Sequence, residues 1–260
     1  MLVPALFFLF GLVFGSFLNV CIYRMPRDLS IVRPRSRCPA CGHAIRWFDN
    51  IPLLSWLLLD GRCRHCQASI SWRYPAVEAF TAVLFCLAAL VWGPSWTAVK
   101  FSTFFFLLTG LIFSDFETLI LPDEFTFGGL LAGLAAATAT PSADSLVRLL
   151  WPQLHPRLVS LAEAALASVI AGGILWLVGV AYEKIRRREG LGFGDVKMVA
   201  MIGVFLGLQK TLLVVLLGCV SGTVLGAFYI LLARRNFSTY HLPFGSFLGA
   251  AAVLVAFLIP

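Results

Sequence analysis

Two carboxylates and four thiols are the side chains with chemistry in an otherwise apolar sequence. Asp195 follows Gly192-Phe193-Gly194 and leads straight into a hydrophobic segment, and Asp115 closes another apolar run, Leu108 to Ser114. Two glycines with one residue between them let the backbone turn or unwind where a side chain would clash, which predicts that Asp195 sits at a break in a helix. A carboxylate against hydrocarbon is costly and marks a functional site by default. The competing reading is that Asp195 only caps the helix it opens, accepting from free backbone N–H groups. If both aspartates lie at one membrane depth they can share a proton, the arrangement that activates water against a carbonyl.

The thiols lie in a near-repeat, CPACGHAI from Cys38 and CRHCQASI from Cys63. Cys38, Cys41, Cys63 and Cys66 supply the four thiolates that a structural Zn²⁺ takes in a tetrahedron; with no open position, such a metal does not hydrolyse. The stretch between the pairs is slightly longer than the commonest spacing, and two redox pairs or unligated thiols are the alternatives. His43 and His65 read as polar loop groups, with the alternative that either replaces a cysteine as ligand. Cys21, Cys86 and Cys219 lie in or beside apolar runs, and seven cysteines in all is an odd number, so a disulfide framework is not expected.

These residues need a scaffold, and composition defines it. Sixty per cent hydrophobic residues, 23 Phe and 13% charged residues, with a mean hydropathy of +0.90, describe an all-α polytopic membrane protein rather than a water-soluble domain. Residues 1–23 form an uncharged first span with no basic start, expected to stay as an anchor with the N-terminus outside. Asn19 would bond to a neighbouring helix. Residues 24–74 form a small basic loop domain with the two knuckles, too small to fold without a staple. Residues 75–260 form the membrane-embedded remainder, with Pro75 in the first turn of its opening helix and Glu78 at that helix's positive end. Leu121-Pro122-Asp123 reads as a stop and restart with Asp123 as N-cap. Thr140 to Leu161 reads as a polar loop, Ala162 to Tyr182 as a span, and Gln209-Lys210 as a tight turn.

About eight spans result, ending with Thr211 to Ala233 and Leu242 to Ile259. Their parity puts Arg24 to Arg73, Lys184 to Lys197 (with Arg186, Arg187 and Arg188) and Arg234-Arg235 on the cytoplasmic side, as the positive-inside rule requires. The same parity brings Asp115 and Asp195 to one level. The net charge of +7 is therefore topology, not a nucleic-acid footprint.

From end to end the chain resembles the type IV prepilin peptidases, bacterial membrane aspartic proteases of the GxGD type. Gly192-Phe193-Gly194-Asp195 matches the GxGD motif, and Asp115, in Asp115-Phe116-Glu117 ahead of Leu121-Pro122-Asp123, matches the other catalytic aspartate. Gly15 to Pro26, the two cysteine pairs and Arg73 to Glu78 also resemble family segments, while Asp60 departs from an expected basic residue. The resemblance implies an enzyme of the inner membrane that cleaves the basic leader of type IV prepilins or type II secretion pseudopilins at the cytoplasmic face. In many members it also implies N-methylation of the new terminus from S-adenosylmethionine. Membrane lipid is the other expected partner. Two readings from other classes are a zinc-binding assembly factor without activity, in which the aspartates are caps, and an ion-coupled transporter, for which no repeated halves are visible.

Overall fold

The computed structural model describes residues 2–141, 146–187, 190–232 and 242–259. Arg188, Ala233, Arg234 and Arg235 lie outside them. Among the described residues there are helices, turns and two isolated bridges, but no strand. The chain divides into two compact units, Met1–Phe113 and Ser114–Pro260, with the boundary inside one helix. Among the described residues, five helices are long and apolar enough to cross a membrane.

The first unit is built on α1 (Leu2–Arg24) and α3 (Arg73–Trp92). In a bilayer the hydrophobic effect does not press helices together, so close backbone approach and interhelical hydrogen bonds must do it. Gly11 and Gly15, four apart, provide the approach: a Cβ at Gly11 would stand 2.5 Å from Cα of Ala82, and one at Gly15 would stand 2.7 Å from Cα of Glu78. One turn on, buried Asn19 donates from Nδ2 to the carbonyl of Tyr74 at 3.0 Å, the interhelical bond expected of it. Phe14 packs on Phe85 and edge-on to Phe106, which brings in α4 (Trp96–Thr118).

The loop between α1 and α3 carries the knuckles, which are duplicates in three dimensions as well as in sequence. The Cys38 N–H bonds to the His43 carbonyl and the Cys63 N–H to the Ala68 carbonyl, both at 2.9 Å. Arg37 bridges to Ala44 as Arg62 does to Ser69. Gly42 and Gln67 occupy the same left-handed turn position, with φ of 69° and 59°. Between the knuckles lie a 3-10 turn, Trp47–Asn50, and the short helix α2 (Leu54–Leu58). Glu78 does not serve the helix end as expected. It is the sixth residue of α3, beyond the first turn, and its buried Oε2 accepts from the Leu53 N–H at 2.8 Å.

In the second unit α5 (Asp123–Ala139), α7 (Pro156–Arg186), α9 (Leu208–Leu232) and α10 (Phe244–Leu258) all touch α8 (Phe193–Leu206), which is the axis of the unit. Its residues from Met201 to Leu206 are all buried. Three expectations change here. Part of the anticipated polar loop is helical: α6 occupies Leu146–Leu150, and α7 begins at Pro156, where proline's missing N–H costs nothing. The turn between α8 and α9 falls at Gly207, with φ 78°, and Gln209 and Lys210 belong to the first turn of α9. The N-cap of α5 is Pro122, so Asp123 is its first helical residue, and the Asp123 carboxylate pairs with Lys197 instead of capping.

The α1–α3 contact yields a prediction. Gly15→Leu must force apart backbones that now touch, an overpacking cost of about 1–3 kcal/mol. The thermal midpoint of the purified protein in detergent should fall by several degrees, whereas Gly128→Ala, which meets open space, should leave it unchanged.

Candidate active site

Asp115 lies in the last turn of α4, where that helix enters the second unit. The residue is 5% exposed, and the cost of that burial is met by the start of α10. The Ser246 N–H donates to Oδ2 of Asp115 at 2.7 Å, and the Ser246 hydroxyl donates to the same oxygen at 3.0 Å. The Gly245 N–H also points to this carboxylate. Gly245 and Ser246 are the second and third residues of α10, where backbone N–H groups have no partner in their own helix and the helix dipole favours an anion. The carboxylate is thus an external cap for a helix that starts 129 positions later in the sequence.

Asp195 is the third residue of α8, and the N–H of Gly192 at the N-cap position lies against its carboxylate. This is half of a capping box, so the capping reading holds in part. Capping does not exhaust its role, because Asp115 lies close enough to interact with it electrostatically. The structure therefore brings together the two carboxylates that the sequence placed at one level.

The glycines of the motif work differently from the expectation. Gly192 has φ −66° and ψ 136°, a conformation open to any residue, and Gly194 lies inside the helix. What matters is the missing Cβ. At Gly192 it would stand 3.2 Å from Oδ2 of Asp195, and at Gly194 it would stand 3.2 Å from Cβ of Leu121. Leu121, 9% exposed, also fills the space at Gly245, whose Cβ would meet Cδ2 of Leu121 at 3.0 Å and Cγ of Asp115 at 3.2 Å. One leucine side chain thus packs beside both aspartates' supports. Lys197, two residues after Asp195, pairs with Asp123 and lies 5.5 Å from the Phe193 ring, tying the start of α8 to the start of α5.

Sequence reasoning missed Ser246, Gly245 and Leu121. A usable signal existed for the first two: Leu242-Pro243-Phe244-Gly245-Ser246 is a second Leu-Pro restart, followed by the small residues that an N-terminal anion site needs.

In the loop, the Sγ atoms of Cys38, Cys41, Cys63 and Cys66 all lie within 4.8 Å of one another. A Zn–S bond of about 2.3 Å makes the edge of a tetrahedron about 3.8 Å, which is the Cys38 to Cys66 separation, 3.8 Å. The donor set fits a structural Zn²⁺. The N–H groups of Cys66 and His65 draw the Cys63 thiol down to about 7. At Cys66 the Ala68 N–H also draws down, but desolvation and the three neighbouring thiols push that group up to about 11. His43 and His65 stack on each other, ring centroids 4.3 Å apart, and the four-thiol set is complete without them.

Several helices long and apolar enough to cross a membrane, two carboxylates within electrostatic reach at helix ends and a four-thiol loop describe a multi-pass membrane protein. Residues 101–227 match the type IV leader peptidase family, and residues 9–92 match the bacterial peptidase A24 N-terminal domain. The chain belongs to the type IV leader peptidase family. A "Prepilin leader peptidase/N-methyltransferase" of Aeromonas hydrophila is 35% identical over 95% of this chain and 88% of its own length. One of Myxococcus xanthus is 41% identical over 88% of this chain and 63% of its own length. A "Type 4 prepilin-like proteins leader peptide-processing enzyme" of Escherichia coli is 36% identical, over 98% and 94%. No solved structure matches the chain.

Two predictions follow from the geometry. Ser246→Ala removes one donor from Asp115 and keeps the backbone one, so proteolytic turnover should fall about tenfold, the size of one hydrogen bond to a charged group. Gly245→Ala pushes on Asp115 and Leu121 together and should cost more than Ser246→Ala, both measured on one leader-bearing peptide substrate. For the loop, elemental analysis should find about one zinc per chain and almost none in Cys38→Ser. Because the thiols must lose protons to bind, zinc retention should weaken as pH falls below 7.

Proposed function

We propose that the protein is a membrane aspartic endopeptidase that removes the leader of type IV prepilins or type II secretion pseudopilins and then N-methylates the exposed terminus. The observation that carries this reading is the pair Asp115 and Asp195, held within electrostatic reach at two helix ends in a chain whose relatives bear the names of prepilin leader peptidases. The catalytic residues are these two aspartates. Gly192 and Gly194 support them by leaving room for the carboxylate and for Leu121.

The chain crosses the bacterial inner membrane eight times, with α5, α8 and α10 as the short crossings, and the dyad and the cysteine loop face the cytoplasm. The length of α8 supports the placement of the dyad. Its 14 residues cover about 21 Å at 1.5 Å per residue, against a hydrocarbon core of about 30 Å. Its Gly207 end turns straight into α9 beside polar Gln209 and Lys210, as an end at the surface should. The end left inside the bilayer's depth is then the one that carries Asp195. A pilin stem lying in the membrane, with its basic leader in the cytoplasm, presents its scissile bond at that depth.

The carboxylate pair holds one proton between its members, because like charges at close range in a poorly solvated site do not both ionise. The ionised member takes a proton from water as the water attacks the scissile carbonyl. The protonated member donates to the carbonyl oxygen, and a proton is later delivered to the leaving amine. Oδ2 of Asp115 already accepts two hydrogen bonds, so its proton transfers run through Oδ1. The Ser246 contact fixes the rotamer that aims Oδ1 at the water.

Cys38, Cys41, Cys63 and Cys66 hold a structural Zn²⁺, which supplies folding energy to the loop and takes no part in hydrolysis. The methyl donor is S-adenosylmethionine. No residue is assigned to it.

Asp115→Asn and Asp195→Asn each keep the side-chain volume but cannot share the proton. Each should lower cleavage at least about a hundredfold, the scale of general acid–base catalysis, while the protein still inserts and keeps its zinc. Mass analysis of a purified prepilin reports cleavage and methylation together. Cleavage at near wild-type rate by either Asn variant ends the dyad reading.

A further inference from the structure

The short helix α2 is built inside out. Ser55, its polar residue, is buried, and its hydroxyl donates to the Phe48 carbonyl and accepts from the Ile51 N–H, both at 2.9 Å, which locks α2 onto the 3-10 turn before it. Trp56 turns inward, donating from Nε1 to the Ile70 carbonyl at 3.2 Å and packing on Gly61 of the second knuckle. The outward face is Leu54, Leu57 and Leu58, spaced as neighbours on a helix, with 56%, 63% and 80% of their surfaces exposed. Trp47, at the start of the locked turn, is 81% exposed. A soluble knuckle domain gains nothing by aiming three leucines and a tryptophan at water, and a patch of this kind marks an interaction surface.

Two further observations identify what covers it. Leu53, the residue just before α2, is held by Glu78, five residues into α3. Five residues are about 7.5 Å of helix rise, close to the depth of the headgroup zone on one side of a bilayer, about 5–8 Å. With α3 entering the headgroup zone at its first residue, Arg73, this hydrogen bond sets the start of α2 at the level where headgroups meet acyl chains. Leu53 itself has φ 60° and ψ −50°, and the Leu54 N–H bonds to the Pro52 carbonyl at 2.6 Å. This is a γ-turn of the rare, strained hand, and such strain persists only where the surroundings impose it. The charge agrees: residues 24–73 contain nine Arg and three Asp, a net +6, most of the chain's +7. Arg46 stands beside the Phe48 ring, 5.7 Å from its centroid and next to Trp47, while Arg64, 5.8 Å from the same ring, is paired with Asp49.

We propose that Trp47, Leu54, Leu57 and Leu58 form a membrane-docking surface, by which the zinc-knuckle loop lies on an anionic lipid surface with these four side chains at the headgroup–acyl boundary. The arrangement is that of an interfacial amphipathic element: apolar side chains immersed and arginines at the phosphates. Glu78 is the tether that sets its depth. The inference rests on α1 and α3 crossing the bilayer and is independent of the peptidase reading.

The test uses the full chain with its zinc, reconstituted in vesicles of phosphatidylcholine and phosphatidylglycerol. Tryptophan emission of the wild type minus that of Trp47→Phe isolates Trp47. Lipids brominated at the 4,5 positions should quench this component more than lipids brominated at 11,12, and aqueous iodide should quench it weakly. Strong quenching by iodide, or no quenching by either bromolipid, overturns the proposal; the second result would mean that protein covers the face. As a second measurement, trypsin cleavage at Arg62 and Arg64 in vesicles should be at least tenfold faster for Leu54→Ser/Leu57→Ser/Leu58→Ser than for the wild type, with zinc content equal. Equal rates at equal zinc also overturn it. If the triple variant loses its zinc, the Trp47 measurement on the wild type decides alone. Cleavage of prepilin, assayed on the same samples, separates a failed docking surface from a failed peptidase assignment.

Discussion

The contact between the Asp115 carboxylate and the start of α10 is the constraint on which the second unit depends. An isolated carboxylate at a membrane edge costs several kcal/mol, and a helix start leaves backbone N–H groups without partners. Each defect is the remedy for the other. Ser246 and Gly245 donate to Asp115, so the last turn of α4 is held to the start of α10, and the aspartate stays buried with no basic partner among the described residues. Asp195 repeats the solution at smaller scale, with the N–H of Gly192 from its own helix start. Both carboxylates are supported by backbone N–H groups at helix starts, which favour negative charge.

Close packing makes that support possible. Leu121 lies against the positions where Gly194 and Gly245 lack a Cβ, so the two helix starts approach through a single apolar side chain. The paired Lys197 and Asp123 hold the same two chain segments, α8 and the restart after Leu121, from the exposed side. The site is therefore determined twice, by an apolar wedge inside and an ion pair outside. Only the inner contact is out of reach of salt screening.

The sequence revealed features whose causes are local. Asp115 and Asp195 were legible because a carboxylate in an apolar run is conspicuous. The knuckles were legible because the repeat preserves turn residues as well as cysteines, and Asn19 because its need for a partner in lipid is absolute. What could not be read were pairings across long separations: Ser246 with Asp115, Leu53 with Glu78, Lys197 with Asp123. For each of the two unanticipated acid roles, the sequence offered a local use, capping by Asp123 and helix-end charge by Glu78. The structure replaced it with a distant partner, because α5 already starts at Pro122 and α3 at Arg73, one turn too early for Glu78. The motif glycines were read for conformational freedom because that is glycine's local property. Their steric role depends on neighbours that spacing cannot name.

Glu78 illustrates how the first unit reconciles two solvents. A buried glutamate on a spanning helix would be a liability if it faced lipid, and a strained γ-turn at Leu53 would relax if the loop were free. Joined by one hydrogen bond, the acid gains a donor and the turn is kept. The knuckle loop thereby receives a fixed height relative to the helix pair that Gly11, Gly15 and Asn19 clamp together. A loop of this size has no core of its own to orient it. Its position must come from outside, through the tether to α3 on one side and the leucine face of α2 on the other. The two are adjacent in sequence, Leu53 and Leu54, so a change in one is felt at once by the other.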